Sequence, residues 1–381
     1  MTLARTLPIA LLLLAGCERP AQSQEPQAPA PASLDALDAE IATSRRTAIT
    51  RAVEAATPAV VSINVIEVRQ VRQRNPFAGD PFFERFFGRQ ADRIYEQQVQ
   101  GLGSGFVVSP DGYIVTNDHV AGSAAKITVA FPDGSQMPGT LVGSDPATDI
   151  ALIKVEPEAP LPFLAFDEAE EPVVGEWAVA LGNPFGLFEA SEPTVTVGVI
   201  SAVGRDVPVQ TGRTLRDMLQ TDASINSGNS GGPLVNALGR VMGMNTVIFS
   251  RSGGSVGIGF AVPAWRIRRV VDELRETGEV DREFYTGLNV RAIDARIARA
   301  LGLDDARGLI VASVDPGSPA ADAGLDAYDI VATIEGEPVE SINDLRDRLV
   351  DNRAGDTVTL GVVRDGAARD VPLVLGAPEG S

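Results

Sequence analysis

Apolar and polar positions alternate in short runs from about residue 58 onward. Val60–Val65, Gly105–Val108, Tyr113–Thr116, Lys126–Phe131, Ile150–Val155, Trp177–Leu181, Val195–Val203 and Val241–Phe249 are each bounded by Gly, Pro or Asp. Short Val- and Ile-rich runs between turn formers read as strands. Residues 58–263 have room for about a dozen, enough for two small barrels. The period then changes. In Pro263–Thr277, Ile267, Val270, Val271 and Leu274 recur at i, i+3, i+4 and i+7, which predicts an amphipathic helix ended by Gly278. Residues 284–376 return to strands, with helices expected near Asp294–Ala300 and Ile342–Leu349. Nearer the N-terminus, Leu34, Leu37, Ile41, Ile49 and Val53 give residues 34–56 partial helical periodicity. Before them, residues 18–33 are rich in Pro, Ala and Gln and lack the residues that build a core, so they read as a semi-extended tether.

The first residues carry a different pattern. Arg5 precedes an apolar run from Leu7 to Ala15. That run is shorter than the ~20 residues needed to cross a bilayer and matches a secretory signal. Leu14-Ala15-Gly16-Cys17 resembles a bacterial lipobox, in which Cys17 becomes the lipid-modified first residue. Cys17 is the single cysteine of the 381 residues, so no internal disulfide is available. With one His besides, no His- or Cys-rich zinc site can form, and neither a metal nor a cofactor is expected. The net charge of −19 argues against nucleic acid as a partner. Any chemistry that needs an imidazole has one candidate, His119. One stretch stands apart: Asn75–Arg89 holds Phe77, Phe82, Phe83, Phe86 and Phe87 among Arg, Pro and Gly, and reads as a loop carrying an interaction surface.

Three segments carry candidate chemistry: Thr116-Asn117-Asp118-His119-Val120, Thr148-Asp149-Ile150 and Gly228-Asn229-Ser230-Gly231-Gly232-Pro233. A serine hydroxyl becomes a nucleophile at neutral pH only if a neutral imidazole takes its proton. A carboxylate must orient that imidazole. Backbone N–H groups must meet the developing oxyanion. Glycines around Ser230 allow the sharp turn that aims the Gly228 and Ser230 N–H groups at one point. The order His119, Asp149, Ser230 is that of chymotrypsin-type enzymes rather than subtilisins or α/β-hydrolases.

These motifs, together with Gly101–Val107, Asp149–Val155, Gly182–Gly186, Gln220–Asn226 and Gly257–Pro263, resemble the HtrA (DegP/DegQ/DegS) serine proteases over roughly residues 50–375. The resemblance implies a mainly β fold: a chymotrypsin/trypsin-like double β-barrel followed by a PDZ domain, an α+β, partly open barrel. It implies a protease domain at 48–277, a linker at 278–283, a PDZ domain at 284–376 and a tail at 377–381, while the lipobox marks a lipoprotein signal peptide at 1–16 and a lipid-anchored tether and N-terminal segment at 17–47. It implies that His119 is the general base, Asp149 its orienter and Ser230 the nucleophile, with the oxyanion hole made by the backbone of Gly228, Asn229 and Ser230. Ile225, Phe249 and Ile258 align with S1-pocket positions, and their apolar character implies cleavage after small aliphatic residues. Asn229 replaces the Asp that pairs with a new N-terminus in zymogen-activated relatives, so activation by trimming is not expected. The Phe-rich loop is similar to the family's regulatory loop.

In the C-terminal block, Tyr285-Thr286-Gly287-Leu288 resembles a PDZ carboxylate-binding loop, and Leu288–Val290 a strand open to strand addition. Leu345 and Leu349 are expected to line the side-chain pocket. Tyr328 departs from the family, where Gly is usual. The resemblance implies a homotrimeric envelope endoprotease on the periplasmic side, and the lipobox adds a lipid anchor through Cys17. Its expected partners are unfolded or misfolded envelope proteins and hydrophobic peptide C-termini. The alternative is a chaperone or peptide-sensing protein in which proteolysis is minor.

Overall fold

The structure is a computed structural model. It describes residues 44–73, 93–168, 171–183, 192–208, 214–226, 228–248, 256–301 and 307–378. Cys17, the tether, the Phe-rich stretch 75–89, Pro184–Gly186 and Phe249 lie outside the described residues.

The first described helix, α1 (Ala48–Ala56), starts at Thr47, whose side chain accepts a hydrogen bond from the Thr50 N–H. Six strands follow: β1 (Val60–Gln73), β2 (Arg93–Val107), β3 (Tyr113–Thr116), β4 (Lys126–Ala130), β5 (Gln136–Asp145) and β6 (Ile150–Lys154). They close as a barrel in the order β1-β2-β3-β6-β5-β4. Alternate residues of β1, Val61, Ile63 and Val65, are buried with Phe106, Ile114, Val129 and Leu152. The β1–β2 hairpin is much longer than its apolar runs, because pairing continues from Val60↔Phe106 out to Gln73↔Arg93 through a mostly polar stretch. Hydrophobic alternation marks only the part of it that lines the barrel.

The second barrel repeats the plan with β7 (Trp177–Gly182), β8 (Thr194–Pro208), β9 (Thr214–Thr221), β10 (Pro233–Val235), β11 (Val241–Ile248) and β12 (Gly259–Pro263), closed in the order β10-β11-β12-β9-β8-β7. Between β3 and β4 lies a single turn of helix, α2 (Asp118–Ala121), too short to leave a periodic signal in the sequence. After β12 comes α3 (Ala264–Thr277), which buries Ile267, Val270, Val271 and Leu274 and ends where Gly278 adopts a left-handed conformation with φ of 80°.

The C-terminal unit has an antiparallel sheet in the order β13-β14-β15-β17-β18, built from β13 (Leu288–Ala292), β14 (Leu309–Val314), β15 (Ile330–Ile334), β17 (Thr357–Arg364) and β18 (Ala367–Val374), with β16 (Glu337–Pro338) paired to β15. Three helices accompany it: α4 (Ala295–Leu301), α5 (Pro319–Asp322) and α6 (Ile342–Arg348). A capping box sets the start of α6: Ser341 accepts from the Asp344 N–H while Asp344 accepts from the Ser341 N–H. No described helix is long and apolar enough to cross a membrane.

Ion pairs join the C-terminal unit to the barrels. Arg266 on α3 is 3 % exposed and donates to both carboxylate oxygens of Asp351, at 2.9 and 2.5 Å, and to the Arg216 carbonyl. Arg353 meets Glu273, and Arg269 meets Asp356. Arg282, in the connection, grips Asp145 at 2.6 and 2.5 Å and donates to the Val350 carbonyl.

Candidate active site

His119 opens outward from α2, directly after β3, while Asp149 ends the turn before β6. The two strands are paired, Thr116 opposite Ala151, so the first barrel alone sets the distance between base and carboxylate. The His119 Nδ1 lies 2.9 Å from each oxygen of Asp149, and the His119 backbone N–H donates to Oδ1 at 3.1 Å. Asp149 is 7 % exposed, whereas the His119 side chain is half-exposed. Burial by itself lowers the His119 pKa. The hydrogen bond and negative charge of Asp149, with a smaller contribution from Asp118, outweigh it and raise the pKa above the ordinary 6.5. Asp149 holds a left-handed backbone with φ of 61°, a conformation that costs a non-glycine residue ~1–2 kcal/mol. Strain of this kind concentrates at functional sites.

Ser230 comes from the second barrel, in the turn before β10. Gly231 follows it with φ of 83°, and a Cβ there would stand 2.2 Å from the Ser104 carbonyl oxygen, so only glycine fits. Among the described residues, neither the Gly228 nor the Ser230 N–H donates to a protein acceptor. Asn229 is 4 % exposed and faces inward; its Oδ1 accepts from Thr194 and its Nδ2 donates to the Ser224 carbonyl. The Ser230 hydroxyl donates to the Thr246 carbonyl at 3.2 Å. In this arrangement it is turned toward Thr246 and not toward the imidazole.

Two residues that the motifs did not single out complete the carboxylate's surroundings. The Thr246 hydroxyl donates to Asp149 Oδ2 at 3.4 Å. Asn117, fully buried, donates from Nδ2 to the Asp149 carbonyl at 3.0 Å and to the Thr246 hydroxyl. The available signal was the polar pair Asn245-Thr246 inside the otherwise apolar run Val241–Ile248, since buried polar residues need partners.

The specificity positions are less unified. Ile225 is 1 % exposed inside a cluster with Ile200, Leu219 and Met242, while Ile258 packs at the edge of the cluster that runs through both barrels. The structure places them in separate apolar groups, and Phe249 is outside the described residues.

In the C-terminal unit, a cavity of 310 Å³ lies between β13, the free edge of its sheet, and α6. Thr286, Leu288, Val290, Leu345 and Leu349 line it, together with the buried Leu360 and Leu373 and the cations Arg282 and Arg346. Tyr285 and Gly287 do not line it. Tyr285 instead pairs with Gly376 through two backbone hydrogen bonds and donates its hydroxyl to Asp315 at 2.8 Å, which fixes the loop.

The trypsin-like peptidase domain family matches residues 103–244, and the PDZ domain family matches residues 285–375. A probable periplasmic serine endoprotease DegP-like of Chlamydia trachomatis is 44 % identical over 308 residues, 80 % of this chain and 60 % of that protein. The periplasmic pH-dependent serine endoprotease DegQ of Escherichia coli is 40 % identical over 323 residues, 84 % of this chain and 69 % of its own. The chain thus spans about three-fifths to two-thirds of the length of such relatives. Among solved structures, the HtrA-type protease AlgW with decapeptide aligns with a TM-score of 0.60 at 36 % identity, covering 87 % of this chain and 99 % of that one. With both domain families in order and such identity across the two, the chain belongs to the HtrA family of trypsin-like serine proteases that carry a PDZ domain.

Proposed function

We propose that the protein is a serine endoprotease of the cell envelope whose hydrolysis is regulated by capture of peptide C-termini in the PDZ groove. The observation that carries the reading is the His119–Asp149 pair at 2.9 Å, together with the N–H groups of Gly228 and Ser230, which meet no acceptor among the described residues. On substrate binding the Ser230 hydroxyl rotates from the Thr246 carbonyl to His119 Nε2. His119 takes its proton as Oγ attacks the scissile carbonyl, and Asp149 stabilises the imidazolium. The Gly228 and Ser230 N–H groups hold the oxyanion. His119 then protonates the leaving amine, and a water molecule, activated the same way, releases the acyl group from Ser230.

Cleavage after small aliphatic residues is favoured by the apolar character of Ile225 and Ile258. The free edge of β13 and the apolar cavity beside it suit an added strand ending in an apolar residue. Unfolded envelope proteins supply both features. The periplasmic names of the relatives support the location, and Cys17 is assigned as the lipid anchor. Assembly is assigned as a homotrimer. The deciding experiment is casein hydrolysis by the wild type against Ser230→Ala. A loss of ~10⁴-fold or more is expected. Equal rates would leave a peptide-binding chaperone as the better description. Mass spectrometry of the mature N-terminus reads the Cys17 assignment, and an unmodified N-terminus there rules it out.

A further inference from the structure

Ser104 lies in β2 with no exposed surface, and it works across the junction between the barrels. Its N–H donates to the Ser230 carbonyl at 2.9 Å. Its hydroxyl donates to the Gly228 carbonyl at 2.5 Å and accepts from the Asn183 N–H at 2.7 Å. Its carbonyl accepts from the Thr116 hydroxyl at 2.7 Å. Every polar group of this one residue is therefore committed. Two of those commitments fall on the carbonyls of Gly228 and Ser230, the residues whose N–H groups meet no acceptor among the described residues.

The direction of the hydroxyl bond is fixed by counting. A hydroxyl has one hydrogen and two lone pairs. Asn183 occupies a lone pair, and the hydrogen is left for Gly228. The restraint matters at Gly228 more than elsewhere. Its φ is 107°, a region glycine enters and leaves freely. The Gly228 carbonyl belongs to the peptide plane that follows Gly228 and is joined to the Gly228 N–H only through the Cα, so without this anchor the residue could pivot at its Cα and carry its N–H off aim. An oxyanion donor is useful only within about 2.7–3.1 Å of the oxyanion, so small rotations matter.

We infer that Ser104 is a positioning residue for the oxyanion hole: its hydroxyl anchors the Gly228 carbonyl to the backbone of Asn183 and its N–H anchors the Ser230 carbonyl, so the two Cα atoms on which the donor N–H groups pivot are held in place. The inference rests on reading Gly228 and Ser230 as the oxyanion donors. The contact is made by a side chain of the first barrel, so the hole is completed only when the two barrels are in register.

The test separates transition-state binding from mere packing. In full-length Ser104→Ala, with active sites counted by titration, kcat per site is expected to fall by about tenfold or more while KM stays within twofold. Affinity for a valine peptide boronate, which places an anionic oxygen in the hole, is expected to fall by the same factor. Ser104→Cys keeps a weak donor of similar shape and is expected to lose less on both readouts, which also covers the case in which Ser104→Ala does not fold. A kcat per site within twofold of wild type, or a lower kcat with unchanged boronate affinity, overturns the inference. Hydrolysis retained by Ser230→Ala would instead remove the underlying reading of the site.

Discussion

His119 is the residue on which turnover depends most directly. Its pKa is raised above 6.5 by Asp149, against the opposing effect of burial. The general base must be neutral, so kcat/KM is expected to climb with pH through a midpoint above 6.5. The linkage to stability has the opposite sense. The charged pair stabilises the fold fully below the unfolded-state value, and this contribution is lost as pH rises through the raised one. Asp149→Asn should shift the activity midpoint down and reduce kcat by ~10⁴-fold, checked by a pH–rate profile. Tyr328 offers a contrast. It is 73 % exposed and holds φ of 76°. Tyr328→Gly is expected to gain about 0.5–1 kcal/mol in urea unfolding, because the left-handed strain outweighs glycine's extra entropy. The departure at Tyr328 was visible in the sequence, and the backbone there keeps the glycine-like conformation. The same cannot be said of Asn117, Thr246 and Ser104. Each is a small polar residue whose value comes from a partner up to 129 residues away, and spacing alone does not reveal such pairs.

At the scale of elements, legibility follows periodicity. The helix α3 was readable to its last turn, because four apolar residues at helical spacing and a terminal glycine both mark it. The outer half of the β1–β2 hairpin was not readable, since its few apolar residues, such as Val68 and Val71, stand among Glu, Arg and Gln without a regular alternation. Nor were α2 and α5, at four residues each. The groove between β13 and α6 combines both situations: its apolar residues announce a core, but only the sheet order shows that β13 has no neighbour on one side. A carboxylate placed in that cavity must be desolvated against Leu360 and Leu373. Leu345→Asp is therefore expected to weaken binding of a peptide with an apolar C-terminus by about tenfold or more, read by fluorescence anisotropy of a labelled peptide.

In the whole molecule, the two modules that the sequence separates at a linker are tied by charge. Arg266, Arg269, Arg282 and Arg353 all spend their charge at this junction. Asp145 is 2 % exposed, and Arg282 is its cation. Asp145 also accepts from Thr148 and from the Ala147 N–H, within the turn that delivers Asp149. Arg282→Ala is expected to destabilise the protein by about 3 kcal/mol in urea unfolding, since it leaves a buried carboxylate without its counter-ion. A change below about 0.5 kcal/mol would place the pair among surface ion pairs of little weight. No sequence pattern announces these contacts, because charged residues on α3 and beyond α6 read as solvated faces until the units are docked. The docking has a calorimetric consequence. Cutting the chain before Arg282 would leave Arg266 buried without Asp351 and Asp145 without its guanidinium, so neither half retains its intact-chain stability. The full chain should absorb heat in one cooperative peak, and the barrels prepared alone should melt at a lower temperature than that peak.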